Sequence, residues 1–308
     1  MTGGLGNQLF QLAAALAISK NAPIKIYEKL GNPRVNSEGE AEIFSFDLDQ
    51  VAKIVRSDRY SLLVSKSSGY LLRSGIWPRK LEKIPGYRIL VRTAATLTSF
   101  ILINSRHIPI TISGVGYKVI ETDSFLGKFL NPYLIGYFQS YRWPITVRET
   151  LKNIKLSKTG QDFERLHSQS RKSPPIIVHI RRGDYRYQDS FGLPGIKYYQ
   201  EALKRIDLQF AHHPIWVFSD EEVEARRLLH WLPTERVTYV SDVDGSSAAS
   251  LMAMRLGCAY VIANSTFSWW GAFLSMADYP LVVAPDPWFI GQVEPDFLIP
   301  SDWIRIKQ

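Results

Sequence analysis

Two guanidinium groups and a carboxylate follow a short apolar run near the middle of the chain. The run 175–178 leads into the segment His179-Ile180-Arg181-Arg182-Gly183-Asp184-Tyr185. An apolar run of this length is typical of a buried strand, and ligands of α/β sheets bind at the carboxyl ends of strands. The planar fork of arginine makes paired, charge-assisted hydrogen bonds to a diphosphate. The alternative is a strand end with solvated charges, which accounts for most isolated Arg-Arg pairs.

A second polar segment lies about 80 residues further on. It reads Asn264-Ser265-Thr266-Phe267, follows the apolar run 259–262 and precedes a helical pattern. Asn, Ser and Thr at such a junction cap the helix and leave its first N–H groups available to an anion. The adjacent Trp269 and Trp270 are predicted to pack in the core rather than to stack on a sugar.

A glycine-rich stretch opens the chain. Its sequence is Gly3-Gly4-Leu5-Gly6-Asn7-Gln8-Leu9-Phe10-Gln11, and an apolar helix is predicted from Leu9 to Ala17. The spacing fits neither the dinucleotide-binding pattern of glycines nor a P-loop, which requires a following Gly-Lys-Ser/Thr. By itself the stretch indicates no more than a tight turn before a helix.

Strands and helices alternate in the second half of the chain. Strands are predicted at 176–180, 215–218, 237–240, 260–263 and 281–284, and helices at 198–207, 221–229, near 248–256 and up to 276. This alternation favours a parallel sheet covered on both faces. The polar stretch 168–175 is the predicted boundary. We therefore expect two α/β domains, 1–170 and 171–308, facing each other across a cleft.

Composition excludes several classes of protein. The single cysteine allows no internal disulfide, the histidines lack metal-ligand spacing, and no apolar span of about 20 residues is uninterrupted. The net charge is +8, and residues 53–106 carry eleven Lys/Arg against two Asp/Glu among aromatic and leucine side chains. No nucleic-acid-binding module accompanies this segment. It is interpreted either as an ordinary solvated face or as a contact for an anionic membrane surface.

Four blocks together resemble the bacterial α-1,2-fucosyltransferases. They are GGLGNQLFQ at 3–11, GYFQS at 136–140, HIRRGDY at 179–185 and NSTFSWWGA at 264–272. The resemblance implies a GT-B fold, with two facing Rossmann-like domains, and a GDP-sugar donor.

The same resemblance implies roles for individual residues. Arg181 matches the arginine expected on the β-phosphate, and Asp184 is the motif carboxylate nearest to it, so these two are the predicted catalytic residues. The sequence does not identify the catalytic base, and the alternative for Asp184 is that it only orients Arg181. The predicted nucleotide-sugar-binding residues are Gly4, Gly6, Asn7, His179, Arg182, Asp220, Asn264, Ser265, Thr266 and Phe267. The acceptor side is assigned to Gln8 and Gln139. For His179 a strand-end histidine with a satisfied hydrogen bond is the alternative, and Asp220 equally suits a helix cap.

Three features complicate the resemblance. The family usually has an aspartate where this chain has Ser250, and relatives use it on guanine; Asp242 or Asp244 are candidate substitutes. The pair Asp242 and Asp244 also mimics a metal-binding D-x-D motif, although turn chemistry before Gly245 explains it better. Finally, family members have a strand ahead of the glycine loop, whereas two residues precede Gly3 here.

The resulting expectation is an inverting transferase that moves L-fucose from GDP-fucose to the 2-hydroxyl of a galactosyl acceptor in a surface polysaccharide. We expect no metal or other cofactor, an oligosaccharide or lipid-linked glycan as acceptor, and no nucleic-acid partner. The expected location is the cytoplasm, where nucleotide sugars are made, with peripheral contact to the inner face of the membrane. The alternatives are a transferase for another GDP-sugar and a nucleotide-sugar- or glycan-binding protein without turnover.

Overall fold

The chain forms two compact units. The computed structural model describes residues 1, 3–19, 23–26, 33–49, 51, 53–56, 109–111, 133–135, 137–188, 190–291, 294, 295 and 297–308. Unit 1 comprises Met1–Ala41, Leu48–Val147 and Pro295–Leu298, and unit 2 comprises Glu42–Asp47, Arg148–Glu294 and Ile299–Gln308. The domains predicted from the sequence, 1–170 and 171–308, divide the chain differently and stay a prediction.

The helices of the described residues are α1 Leu5–Ser19, α2 Arg142–Ile145, α3 Arg148–Lys152, α4 Gln161–Lys172, α5 Ile196–Phe210, α6 Glu222–Leu228, α7 Ser247–Met254 and α8 Thr266–Phe273. The strands are β1 Ile24–Ile26, β2 Phe46–Asp47, β3 Ile54–Arg56, β4 Pro109–Thr111, β5 Tyr133–Ile135, β6 Lys155–Leu156, β7 Ile176–Ile180, β8 Ile215–Ser219, β9 Val237–Val240, β10 Ala259–Val261, β11 Leu281–Asp286 and β12 Ile304–Lys307. None of these helices combines the length and apolar character that crossing a membrane requires.

Unit 2 is built on a parallel sheet with the strand order β12-β11-β10-β7-β8-β9. Strand β7 lies in the interior of this order, and all five of its residues are buried. In a strand that is covered on both faces, successive residues are all apolar, whereas a half-exposed strand alternates apolar and polar residues. This explains why the apolar run before Arg181 shows no alternation. The predicted α/β class and parallel sheet are confirmed.

The helix that follows β7 covers one face of the sheet. Its buried residues, Tyr198, Tyr199, Ala202, Leu203 and Ile206, recur at helical spacing and form one core with the side chains of β7 and β8. Helix α8 is buried along most of its length, and Trp269 and Trp270 are both completely buried. The prediction that these tryptophans belong to the core is confirmed.

Unit 1 has α1 as its longest described helix. This helix begins at Leu5, four residues before the predicted start, and Ala14 packs against Phe138 and Trp143. Strand β1 pairs in parallel with β3, and β4 pairs in parallel with β5. Gly3 forms a single parallel bridge with Pro33 immediately before α1.

The stretch 168–175, predicted as a boundary, differs from the expected polar connection. It is helical as far as Lys172, because its charged residues form the exposed face of α4. Most of the basic segment 53–106 lies outside the described residues.

Candidate active site

Arg181 lies just beyond the carboxyl end of β7 and contacts two carboxylates. Its Nη2 is 2.5 Å from Asp184 Oδ1, and its Nη1 is 3.0 Å from Asp220 Oδ2. The side chain of Arg181 is 20% exposed, so the guanidinium is held at the surface of the sheet edge rather than extended into solvent. Asp184 comes from the turn after β7 and Asp220 from the end of the neighbouring β8, which is the juxtaposition that parallel strands produce.

Asp220 also fixes the backbone between the two arginines. Its Oδ1 accepts a hydrogen bond of 2.9 Å from the Arg182 amide. A Cβ at Gly183 would lie 2.4 Å from Asp220 Oδ2, so any side chain there would displace the carboxylate. The motif therefore requires glycine at this position. Of the two predicted roles for Asp220, capping the next helix receives no support, because its described contacts are directed to Arg181 and Arg182.

Arg182 contacts different groups from Arg181. It is 6% exposed, and its Nη2 donates to the Pro194 carbonyl at 2.5 Å. Successive residues of an extended chain point to opposite sides, which separates the two neighbouring guanidiniums. The predicted role of Arg182 in nucleotide binding stays a prediction.

Tyr185 connects the Arg181 cluster to the start of α8. Its ring centroid is 5.4 Å from the Arg181 guanidinium carbon, and its ring stacks on Phe191 at 4.5 Å. The hydroxyl donates to the Asn264 carbonyl at 3.4 Å. Burial raises the pKa of Tyr185 to about 12, so the phenol stays protonated at neutral pH. Tyr185 closes the HIRRGDY motif, but its residue type and position alone predict no role for it.

The predicted anion-binding turn is formed at the N-terminus of α8. Ser265 is the N-cap, and its Oγ accepts from the Phe267 amide at 3.3 Å. Thr266 and Phe267, the first two helical residues, are partly exposed. Asn264 is buried, and its Nδ2 donates to the carbonyls of Phe191, Gly192 and Trp288. Asn264 therefore holds two loops against this turn, so its amide nitrogen is already engaged by the protein.

His179 is buried at the end of β7 beside this turn. Its ring centroid is 6.1 Å from that of Phe267, and its Nδ1 has no hydrogen-bond partner among the described residues. Burial, together with the positive charge of Arg181, lowers the pKa of His179 to about 3, so the imidazole is neutral. The alternative of a strand-end histidine with satisfied hydrogen bonds is not supported for Nδ1. This atom can accept or donate one hydrogen bond to a ligand, depending on the tautomer.

The glycine loop and Gln139 form a separate polar group within unit 1. Gly4 lies immediately before α1 and accepts the amide hydrogen bonds of Asn7 and Gln8, while Gly6 is buried in its first turn. Gln8 is fully buried, and its Nε2 donates to the carbonyls of Gly3 and Arg34, each at 2.9 Å. These contacts hold the loop closed, and a role of Gln8 towards the acceptor stays a prediction.

Gln139 reaches the same turn of α1 from the loop before α2. Its Nε2 donates to Asn7 Oδ1 at 2.8 Å, and its buried Oε1 has no partner among the described residues. The structure thus brings the predicted residues Asn7 and Gln139 into contact with each other.

The Asp242 and Asp244 pair is part of a turn, as predicted. Asp244 has a positive φ of 50°, and its two carboxylate oxygens accept the amides of Asp162 and Phe163 at 3.0 and 3.1 Å, which caps α4. Ser250 Oγ accepts the Val243 amide at 3.1 Å. Because Asp244 is engaged in this way, Asp242 is the remaining candidate to replace the carboxylate that Ser250 lacks. Within the described residues, no group of three or more His, Cys, Asp or Glu could hold a metal ion.

Comparisons with known proteins place the chain in a family. Residues 114–301 match the family described as glycosyl transferase family 11. An α-1,2-colitosyltransferase of Escherichia coli is 25% identical over 100% of this chain and 98% of its own length. The O-antigen biosynthesis glycosyltransferase WbnK of Escherichia coli is 25% identical over 99% of both chains.

A solved structure is similar to the whole fold. The crystal structure of the fucosyltransferase NodZ from Bradyrhizobium superposes with a TM-score of 0.51 at 15% identity, over 89% of this chain and 90% of that one. This likeness confirms the predicted GT-B type of α/β fold. Since the family match covers more than half of the chain, including the segments of Arg181 and Ser265, this protein is a glycosyltransferase and belongs to glycosyl transferase family 11.

Proposed function

We propose that the protein transfers L-fucose from GDP-fucose to the 2-hydroxyl of a galactosyl unit in a surface polysaccharide such as O-antigen, with inversion at the anomeric carbon. The observation that carries the proposal is the Arg181 guanidinium, held between Asp184 and Asp220 at the end of β7. A preorganised cation at this position can stabilise negative charge that develops on a leaving diphosphate without reorganising during the reaction.

In the proposed reaction the bond between the fucosyl anomeric carbon and the β-phosphate oxygen breaks, and its electron pair stays on GDP. Arg181 and the amides at the start of α8 stabilise this charge. The acceptor hydroxyl attacks the anomeric carbon from the opposite face, and its proton passes to Asp184. The products are the fucosylated acceptor, GDP and the proton.

Guanine recognition is assigned to His179 and the residues around it. His179 lies beside Phe267, whose partly exposed ring offers a face on which a base can stack. Asp242 is proposed to accept from the guanine N–H groups in place of the family aspartate. The Asn7 and Gln139 pair is proposed to bind sugar hydroxyls.

A transferase for GDP-colitose is the second candidate. One observation favours it, the similarity to an α-1,2-colitosyltransferase over the full length of the chain. Colitose is fucose without its 3-hydroxyl, so the two donors present the same phosphates and differ by one hydrogen-bonding group.

A donor competition with purified protein tests both candidates. GDP-fucose, GDP-colitose and GDP-mannose are supplied at equal concentration with a galactosyl acceptor, and the product is identified by mass and by NMR of the linkage. We expect a fucosylated product with an α-1,2 bond. A product formed from GDP-colitose alone would assign the second candidate, and GDP binding without any product would indicate a binding protein without turnover.

We also propose that the protein works at the cytoplasmic face of the membrane, contacting anionic lipid through the basic segment 53–106. Its composition supports this, because each Lys/Arg near an anionic surface contributes about 1 kcal/mol. In vesicle co-sedimentation, binding is expected to rise with anionic lipid and to fall when Arg73, Arg79, Lys80 and Lys83 are changed to Glu. The matched control reverses Arg165, Lys172, Lys204 and Arg205, which are exposed in unit 2. Equal loss in both variants, or equal binding to neutral vesicles, would refute the contact.

A further inference from the structure

A pocket of about 500 Å³ opens between the N-terminus of α5 and helix α6. Its titratable lining consists of Arg182, Arg186, Arg227, His230 and Glu224. Arg181, Asp184 and Asp220 do not line it, so it is distinct from the cluster assigned to the donor diphosphate.

The charges of this pocket are unbalanced. Three guanidiniums face one carboxylate, that of Glu224, which is 3.0 Å from Arg227 and 3.9 Å from Arg186. The net charge of the described lining is therefore about +2 when His230 is neutral. Because like charges brought together repel, such a cluster is stabilised by an anion that lies among them.

Arg182 forms the buried part of the lining. It is 6% exposed, and among the described residues its guanidinium donates one hydrogen bond, to the Pro194 carbonyl. A buried cation costs free energy unless it is paired, and a backbone carbonyl compensates one of the five N–H groups of a guanidinium. Consistent with this, burial lowers the pKa of Arg182. Tyr199 and Glu224 partly oppose this shift, and Arg186 and Arg227 add smaller lowering effects.

Helix α5 adds positive potential to the same pocket. Gly195 and Ile196, at the start of this 15-residue helix, belong to the lining, and the N-cap Gly195 has no side chain to satisfy the first amides. The N-terminus of a helix carries a partial positive charge that favours anions.

We propose that this pocket binds a phosphate or diphosphate group, as a second anion site beyond the donor diphosphate. Guanidinium forks arranged around a buried arginine match the oxygens of a phosphate group. Leu193, which is 37% exposed, and Ile196 give the rim an apolar part. Two kinds of ligand carry the phosphate oxygens that this pocket suits, a free phosphate compound and the diphosphate of a prenyl lipid.

The test is calorimetric titration of the full-length protein with inorganic pyrophosphate at low salt. The variant pair Arg186→Gln and Arg227→Gln removes two exposed cations of the pocket and is expected to lower the stoichiometry by one site, or to weaken that site about tenfold or more. The matched control is Arg226→Gln, on the same helix, which pairs with Glu222 and does not line the pocket. The control is expected to bind as the parent does.

The same titration is repeated in Arg181→Ala protein, which separates the pocket from the proposed donor site. Binding that survives Arg181→Ala and is lost with the double change assigns the site to the pocket, whether or not the proposed donor is correct. Farnesyl diphosphate then distinguishes the sources: tighter binding than pyrophosphate indicates a prenyl lipid, and equal binding indicates a free phosphate compound. The proposal is overturned if the double change leaves pyrophosphate binding unaltered, or if Arg226→Gln weakens it equally.

Discussion

Replacement of Arg181 by alanine is expected to abolish transfer while the fold is retained. The variant removes the guanidinium that Asp184 and Asp220 hold at the end of β7. Loss of one preorganised donor to developing charge lowers kcat by about 10²–10³. Arg181→Lys is expected to restore little of this rate, because an ammonium lacks the planar fork.

The stability cost of Arg181→Ala is expected to come mainly from one of its two ion pairs. The pair with Asp184 has side-chain exposures of 20% and 51% and contributes about 0–1 kcal/mol after screening by solvent. The pair with Asp220 has exposures of 20% and 22%, and removing one partner of a largely buried pair costs about 3–5 kcal/mol. Because a folded domain has about 5–15 kcal/mol of stability, urea unfolding of the variant is needed to show that lost activity reflects chemistry and not unfolding.

A control variant distinguishes loss of a catalytic group from loss of an ordinary ion pair. Arg165 pairs with Asp162 three residues away, at 3.2 Å, in the same i,i+3 arrangement as Arg181 and Asp184 but on the exposed surface of α4. Initial rates at saturating donor and urea unfolding are measured for both alanine variants. Arg165→Ala should keep the parent rate. An Arg181→Ala protein that is folded and active within a few-fold of the parent would refute the assignment of Arg181 to the diphosphate.

Three further predictions concern metal, capping and pH. Transfer should persist in excess chelator; if chelator stops turnover and Mn²⁺ or Mg²⁺ restores it, Asp242 and Asp244 must be reconsidered. Asp244→Ala removes both acceptors at the start of α4 and should lower the free energy of unfolding by about 1 kcal/mol, whereas Asp242→Ala should change it by less than about 0.5 kcal/mol, as measured by urea unfolding. Because the pKa of His179 is lowered to about 3 in the folded protein, the unfolded chain binds a proton at higher pH than the folded protein does. The free energy of unfolding is therefore unaffected by this residue above about pH 6.5 and decreases as the pH falls towards 3. His179→Phe should make the dependence of stability on pH shallower across that window by up to one proton, about 1.4 kcal/mol per pH unit; an unchanged slope would contradict a neutral buried His179.

The interior of the sheet of unit 2 was predictable because its strands are buried on both faces. Runs such as 176–180 and 215–218 are apolar and short, they are separated by helical patterns, and their observed bounds agree closely with the predicted ones. The end of α4 was not predictable in the same way. Its last turn is rich in Ser, Arg and Lys, which suit a linker as well as an exposed helix face, and the capping of its start by Asp244 depends on a residue about 80 positions away.

The partners of the motif residues were harder to predict than their positions. The strand order places Asp220 beside Arg181. This proximity was predicted, because both residues follow strands of one parallel sheet and the carboxyl ends of such strands lie at the same edge. The separation of Arg181 from Arg182 follows from the alternation of side chains, a signal that was present in the sequence. The contacts of Asn264 with Phe191 and Trp288 depend on loop conformations that no local pattern specifies.

The two carboxylates around Arg181 differ in what their oxygens already contact, and this difference divides their proposed roles. Asp220 uses Oδ1 for the Arg182 amide and Oδ2 for Arg181, so protonation would weaken both contacts at the end of β7. Asp184 contacts Arg181 through Oδ1 and is 51% exposed, which leaves its Oδ2 directed to no group described in the structure. A general base must present an oxygen to the acceptor hydroxyl within hydrogen-bonding distance. We therefore propose Asp184 as the proton acceptor and Asp220 as the residue that orients Arg181, since both oxygens of Asp220 already accept hydrogen bonds whereas one oxygen of Asp184 has no such contact among the described residues.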